Sequence, residues 1–233
     1  MTYSIIARCP RSGRFGVATT TFSLACGRRN ESLRPNVGIS KSQAYYLRRV
    51  DPFVLNMLAQ GHTPKHIASL LEKDDPDFDY RQFGIVDRES NVYAHTGPRI
   101  GPWAGHKVGA YYAAYGNGLA GPQTVEGIVA GFLSDPDAPL EERLLRGIEG
   151  GRDAGGQRFN GMNRPERSAW LRVVDHLDWP QIDLRVDMHE RSVAELRRIF
   201  GQWKRYNAYY EACSLHPQNA KPEEIVMSEL TAA

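Results

Sequence analysis

Cysteine is scarce in this chain: Cys9, Cys26 and Cys213 are the only three in 233 residues. An odd number without CxxC spacing excludes a disulfide scaffold and a zinc ribbon, and points to a reducing, cytoplasmic compartment. Long apolar runs are missing as well. No stretch nears the roughly 18 residues that a membrane-spanning helix needs. The opening Met1-Thr2-Tyr3-Ser4-Ile5-Ile6-Ala7-Arg8 lacks the apolar block of a secretory leader, so no membrane partner is expected and the first residues should belong to the fold. Charge of one sign is also lacking. Lys+Arg at 29 against Asp+Glu at 27 leaves a net +2, which gives no reason to expect a nucleic acid. Walker A, HExxH and GxSxG signatures are absent. His95 and His106 have no third ligand at a recognisable spacing, so neither a metal nor another cofactor is expected.

What is present has the alternation of strands and the spacing of helices. Residues 2–9 and 14–24 read as a hairpin around the turn Pro10-Arg11-Ser12-Gly13, and 36–46 as a third strand. Asp51-Pro52 reads as the cap and first-turn proline of a helix that Gly61 stops, and Thr63-Pro64 as the start of another. The acidic residues 74–79 are expected to form a solvated loop, 81–86 and 92–95 a second hairpin, and 107–115 one strand closed by Gly116-Asn117-Gly118. Two helices follow, marked by Val125, Ile128, Val129 and Phe132 and by Leu140, Leu144, Leu145 and Ile148. The Gly-rich residues 150–166 are expected to be a mobile loop able to cover a site. Residues 168–175 and 182–187 read as strands. Val193, Leu196, Ile199, Phe200 and Trp203 give the apolar face of a long helix ending near Ala212.

One domain over 1–212 and a C-terminal tail over 213–233 are therefore expected. Antiparallel strands separated by helical pairs, rather than βαβ alternation, predict an α+β fold with helices layered on two stacked sheets. The basic aromatic residues 203–210 continue the last helix and are read as a packing face, on the domain or on a second copy in a homodimer.

Thr2 is the most informative position. Met1 is expected to be removed before so small a residue, leaving a hydroxyl and a free α-amine on one carbon. An α-amine with an ordinary pKa of about 7.7–8.0 can take the hydroxyl proton at neutral pH.

The opening residues, with Gly16-Val17-Ala18, Ser42-Gln43-Ala44-Tyr45, Ala94-His95-Thr96-Gly97, Trp103-Ala104-Gly105-His106, Gly116-Asn117-Gly118-Leu119-Ala120-Gly121 and Asp183-Leu184-Arg185-Val186-Asp187, together resemble a bacterial family. It is a domain-of-unknown-function family, number 1028, placed among the Ntn-hydrolase-like proteins. The resemblance runs from Thr2 to about Trp203. It implies a four-layer αββα sandwich of two mainly antiparallel sheets, in which an N-terminal Thr, Ser or Cys attacks an amide carbonyl and water then releases the acid. Against the family pattern, Phe22 stands where a basic residue is usual, residues 46–48 replace a small polar segment, Gly118 replaces a bulkier apolar residue and Met188 an acid.

On that resemblance Thr2 is the nucleophile. Asn117, between two glycines at a strand end, is the candidate donor to the tetrahedral oxyanion, because the backbone can approach closely there. His95, at a strand end, could orient substrate or relay a proton, or could simply be satisfied by backbone partners; His106 has the same standing. Thr19, Thr20 and Thr21 form a hydroxyl run beside the first strand, and Thr21 is taken as substrate-binding. Gln43, also taken as substrate-binding, shares a strand face with Lys41, which would depress the pKa of a nearby nucleophile if buried and discourage aggregation if at an edge. Arg185 and Asp187 share a face and could pair, to hold a carboxylate or to stabilise the sheet. The resulting expectation is an Ntn-type amidohydrolase acting on a small-molecule amide. Its alternatives are a non-catalytic small-ligand-binding protein with the same fold, or a thiol nucleophile built from Cys26 and a histidine.

Overall fold

A computed structural model describes residues 1–28, 32–177 and 179–232. Among the described residues, twelve strands and six α-helices follow in the order β1 (Thr2–Arg8), β2 (Phe15–Thr21), β3 (Leu33–Arg34), β4 (Gly38–Ala44), α1 (Val50–Ala59), α2 (Pro64–Asp74), β5 (Arg81–Asp87), β6 (Val92–Thr96), β7 (Ala104–Val108), β8 (Tyr112–Asn117), α3 (Pro122–Leu133), α4 (Leu140–Asp153), β9 (Gln157–Phe159), β10 (Met162–Arg164), β11 (Ser168–Val174), β12 (Pro180–Val186), α5 (Ser192–Leu215) and α6 (Glu223–Ala232). The fold is mixed α+β with two main antiparallel sheets. One is six-stranded, ordered β12-β11-β2-β1-β8-β7, and the other four-stranded, ordered β3-β4-β5-β6.

β1 is a central strand. It pairs with β2 from Thr2↔Thr21 to Arg8↔Phe15 and with β8 from Thr2↔Asn117 to Ala7↔Tyr112. Successive side chains leave a strand on opposite faces, so Ile5 and Ile6 enter different cores. Ile5 packs with Ala18, Leu171, Ile128, Leu144, Leu145 and Ile148, with Leu196 and Phe200 of α5 closing that core. Ile6 packs with Val17, Tyr115 and Trp170 and with Ile39 and Val86 of the smaller sheet. A third core sets Val54, Leu58, Ile67 and Leu71 of α1 and α2 against Phe83 and Ile85 of β5. A strand buried on both faces reads as a nearly continuous apolar run, which is why the polar Ser4 in β1 and Gln82 in β5 stand out.

Several local expectations are corrected. Residues 107–115 are not one strand: Gly109 donates back to Tyr112 O at 2.9 Å, turning the chain between β7 and β8. Residues 150–166 are not a loop but the end of α4 and the β9–β10 hairpin. Asp51 lies inside α1 rather than capping it, and its carboxylate accepts from the Ser40 and Ser42 hydroxyls, each at 2.8 Å. Asp75, in the acidic segment, is buried against Arg81 Nε at 2.7 Å rather than solvated. The cap expected at Thr63 is present, its hydroxyl accepting from His66 N–H. α5 runs past Ala212, and residues beyond it carry the further helix α6. Among the described residues no helix is long and apolar enough to cross a membrane.

Candidate functional site

Thr2 begins β1 where the two sheets face each other, and polar side chains are buried around it. In the strand register it stands opposite Thr21 on one side and Asn117 on the other. The Thr21 hydroxyl donates to Met1 O at 2.6 Å and lies 3.0 Å from Thr2 Oγ1. A hydroxyl has one proton; with Thr21's given to Met1 O, the Thr2 hydroxyl is the donor of that second bond.

Two glutamines join this pair to the smaller sheet. Gln43 Nε2 donates to Thr2 O at 3.3 Å and to Gln82 Oε1 at 2.8 Å, while its Oε1 accepts from Ser4 at 2.7 Å. Gln82 Oε1 also accepts from Asn117 Nδ2 at 2.9 Å, and Gln82 Nε2 donates to Gly116 O at 2.8 Å and Thr96 Oγ1 at 3.0 Å. Thr96 Oγ1 in turn is hydrogen-bonded to His106 Nδ1, 2.9 Å away. Desolvation lowers the His106 pKa.

Met1 lies over Gly118, where an added Cβ would run into Met1 Cγ. Gly118 has φ +61°, a conformation that glycine adopts at little cost. Burial lowers the pKa of the Met1 amine. Met1 separates two cavities. A polar one of about 190 Å³ is lined by Thr2, Thr19, Thr21, Lys41 and Gln43, and a more apolar one of about 530 Å³ by Asn117, Phe22, Tyr45, Phe159 and Arg164. A larger cavity of about 630 Å³ lies among α1, α2 and β5, where Val50, Phe53, Leu71 and Phe78 line it and Thr2 and Asn117 do not.

Thr2, Asn117, Thr21 and Gln43 are thus brought together. His95 is not. Register pairs it with Phe83, not Gln82, so it leaves the sheet on the helix-facing side. There its Nε2 bonds Phe78 O at 3.1 Å and its ring stacks on Phe78 at 4.0 Å between centroids; burial lowers its pKa. The structure thus places His95, expected among the catalytic residues, apart from Thr2, Asn117, Thr21 and Gln43 and against Phe78. Lys41 is buried beside Thr2, its Nζ donating to Ser42 O at 3.3 Å. Arg185 and Asp187 pair with each other at 2.9 Å on the surface. Burial pushes the Cys26 thiol pKa up, which keeps it protonated and weighs against a thiolate nucleophile. Among the described residues, no group of three His, Cys, Asp or Glu could hold a metal ion.

Ser4, Gln82, Phe159 and Arg164 were not singled out by the sequence. The legible signal for the first two is a polar residue inside an apolar strand. Residues 116–121 also match the spacing G-x-G-x-x-G between a strand and a helix. β8 is antiparallel to both neighbours, β1 and β7, so the βαβ context that gives this spacing its dinucleotide-binding meaning is missing.

The sequence pattern of a family of unknown function, DUF1028, matches residues 2–196. The chain is similar to a protein of Silicibacter pomeroyi, solved by crystallography and described under the same family, with 26% identity, 87% of this chain and 89% of that chain covered, and a TM-score of 0.76. No curated protein matches it. With its pattern matched from the first strand into α5, the chain belongs to the family of unknown function DUF1028.

Proposed function

We propose that this protein is an Ntn-type amidohydrolase of the four-layer αββα class, cleaving a small-molecule amide with Thr2 as nucleophile once Met1 is removed. The observation that carries this reading is the Thr2 hydroxyl at the head of a central strand, bonded to Thr21 and lining a cavity beside Asn117. The three cores, with helices against the outer face of each sheet, support the layered architecture. The unpaired Cys9, Cys26 and Cys213 accord with a reducing compartment.

In this reading Thr2 Oγ1 bonds to the amide carbonyl carbon while its proton passes to the freed α-amine. Collapse of the tetrahedral intermediate breaks the C–N bond, and the amine returns the proton to the leaving nitrogen. Water then attacks the threonyl ester, releasing the acid and restoring the hydroxyl. Asn117 Nδ2 has a second N–H beyond the one given to Gln82. Donated to the oxyanion, such a bond contributes roughly a hundred- to a thousand-fold in rate. Lys41, a cation close by, disfavours protonation of the amine that acts as base.

The test is mass spectrometry of purified protein, followed by reaction with an electrophilic acylating probe. The expected result is a chain starting at Thr2, labelled there, with no label on Thr2→Ala. A library of small amides, turned over by the parent and not by Thr2→Ala, supplies the activity readout. Retention of Met1 in active protein overturns the reading.

A further inference from the structure

The residues around Thr2 are unevenly charged. The chain as a whole is nearly balanced, yet Arg28, Lys41 and Arg164 line the two cavities that Met1 separates, and among the described residues neither lining contains an Asp or Glu. In the larger of the two, Arg164 is the one charged side chain among the described residues, set among Phe22, Tyr45, Ile100, Pro102 and Phe159. It is half-buried and has no carboxylate partner among the described residues. A half-exposed guanidinium without a counter-ion keeps donors open to an incoming anion, and its planar fork matches a carboxylate.

A second observation lies directly across the β9–β10 hairpin. Gln157 is the register partner of Arg164, and residues opposite each other in an antiparallel pair project from the same face. Gln157 is fully buried. Its Oε1 accepts from Phe22 N at 2.8 Å, but its Nε2 has no partner among the described residues. An unsatisfied buried donor is costly. Gln157 bridges to Leu119, and two of its neighbours, Phe22 and Arg164, line the larger cavity.

We propose that this cavity is a carboxylate-binding subsite, so that the substrate is an N-acyl amino acid: its carboxylate is held by Arg164, its apolar body rests on Phe22, Tyr45 and Phe159, and its amide reaches Thr2. The substrate assignment rests on the amidohydrolase reading; the subsite itself does not. Met1 and Ala44 are common to both cavity linings, so departure of Met1 joins the anion-holding cavity to the nucleophile.

The experiment uses full-length Thr2→Ala protein lacking Met1, which binds without turnover, titrated calorimetrically with N-phenylacetylglycine and with its neutral carboxamide. The acid is expected to bind on the order of ten-fold more tightly than the carboxamide. Arg164→Gln is expected to abolish that preference, Arg164→Lys to keep part of it, and neither to change the unfolding midpoint. Equal affinity for acid and carboxamide, no binding of either, or a preference that survives Arg164→Gln overturns the proposal. Labelling of Thr2 in the parent by a phenylacetyl ester separates the two readings. Label without charge preference removes only the carboxylate subsite, and charge preference without label leaves the subsite and removes the hydrolase.

Discussion

Gln43 donates to Gln82 across the β4–β5 pair at 2.8 Å, and that bond unites two sets of polar groups. On the Gln43 side are Ser4 and the carbonyl of Thr2; on the Gln82 side are Asn117, Gly116 and, through Thr96, His106. The nucleophile candidate and the oxyanion candidate are therefore held by one network, not only by their shared strand register.

Gln82→Leu tests that network. The side chain is fully buried, and its loss takes one bond from each of Gln43 Nε2, Asn117 Nδ2 and Gly116 O. Destabilisation of roughly 2–4 kcal/mol is expected by urea unfolding, at the upper end of single-residue effects because several buried polar groups lose a bond together. A change under about 0.5 kcal/mol, the usual range for an exposed substitution, would show that the glutamine is dispensable.

Gly118→Ala tests the seat of Met1. Two forms released from a fusion protein, one starting at Met1 and one at Thr2, separate backbone strain from side-chain collision. In the shorter form only the left-handed backbone is penalised, by about 1–2 kcal/mol; in the longer form the new Cβ also meets Met1 Cγ. The two costs should differ by at least about 0.5 kcal/mol, the threshold for real coupling. Equal costs would place Met1 elsewhere.

His95 gives a pH prediction. Desolvation among Phe78 and Phe83 lowers its folded-state pKa below the ordinary 6.5, and His106 moves in the same direction. Below that ordinary value the unfolded chain binds more protons than the folded one, so stability rises with pH through this window and is lost on acidification. Unfolding measured from about pH 7 to about pH 5, where an ordinary histidine titrates, should be less steeply pH-dependent in His95→Phe than in the parent. An unchanged slope would mean that His95 charges as easily folded as unfolded.

The sequence by itself determined what depends on near neighbours. Alternation and turn residues identify the β1–β2 hairpin, and helical spacing identifies α3, α4 and α5, because strand and helix periodicities are local. Thr2 as a strand-initial hydroxyl was legible for the same reason. The turn at Gly109 and the β9–β10 hairpin were not, since short elements bury too few side chains to leave a pattern.

Tertiary structure alone decided which side chains meet. Gln82 reaches Asn117 and Gln43 across 35 and 39 residues of chain, and Arg164 reaches the cavity of Met1 from an element that the sequence reads as a loop. Which face His95 takes is a matter of strand register. A shift of one residue moves a side chain to the other side of the sheet, and that register is set by the packing of cores formed from distant parts of the chain.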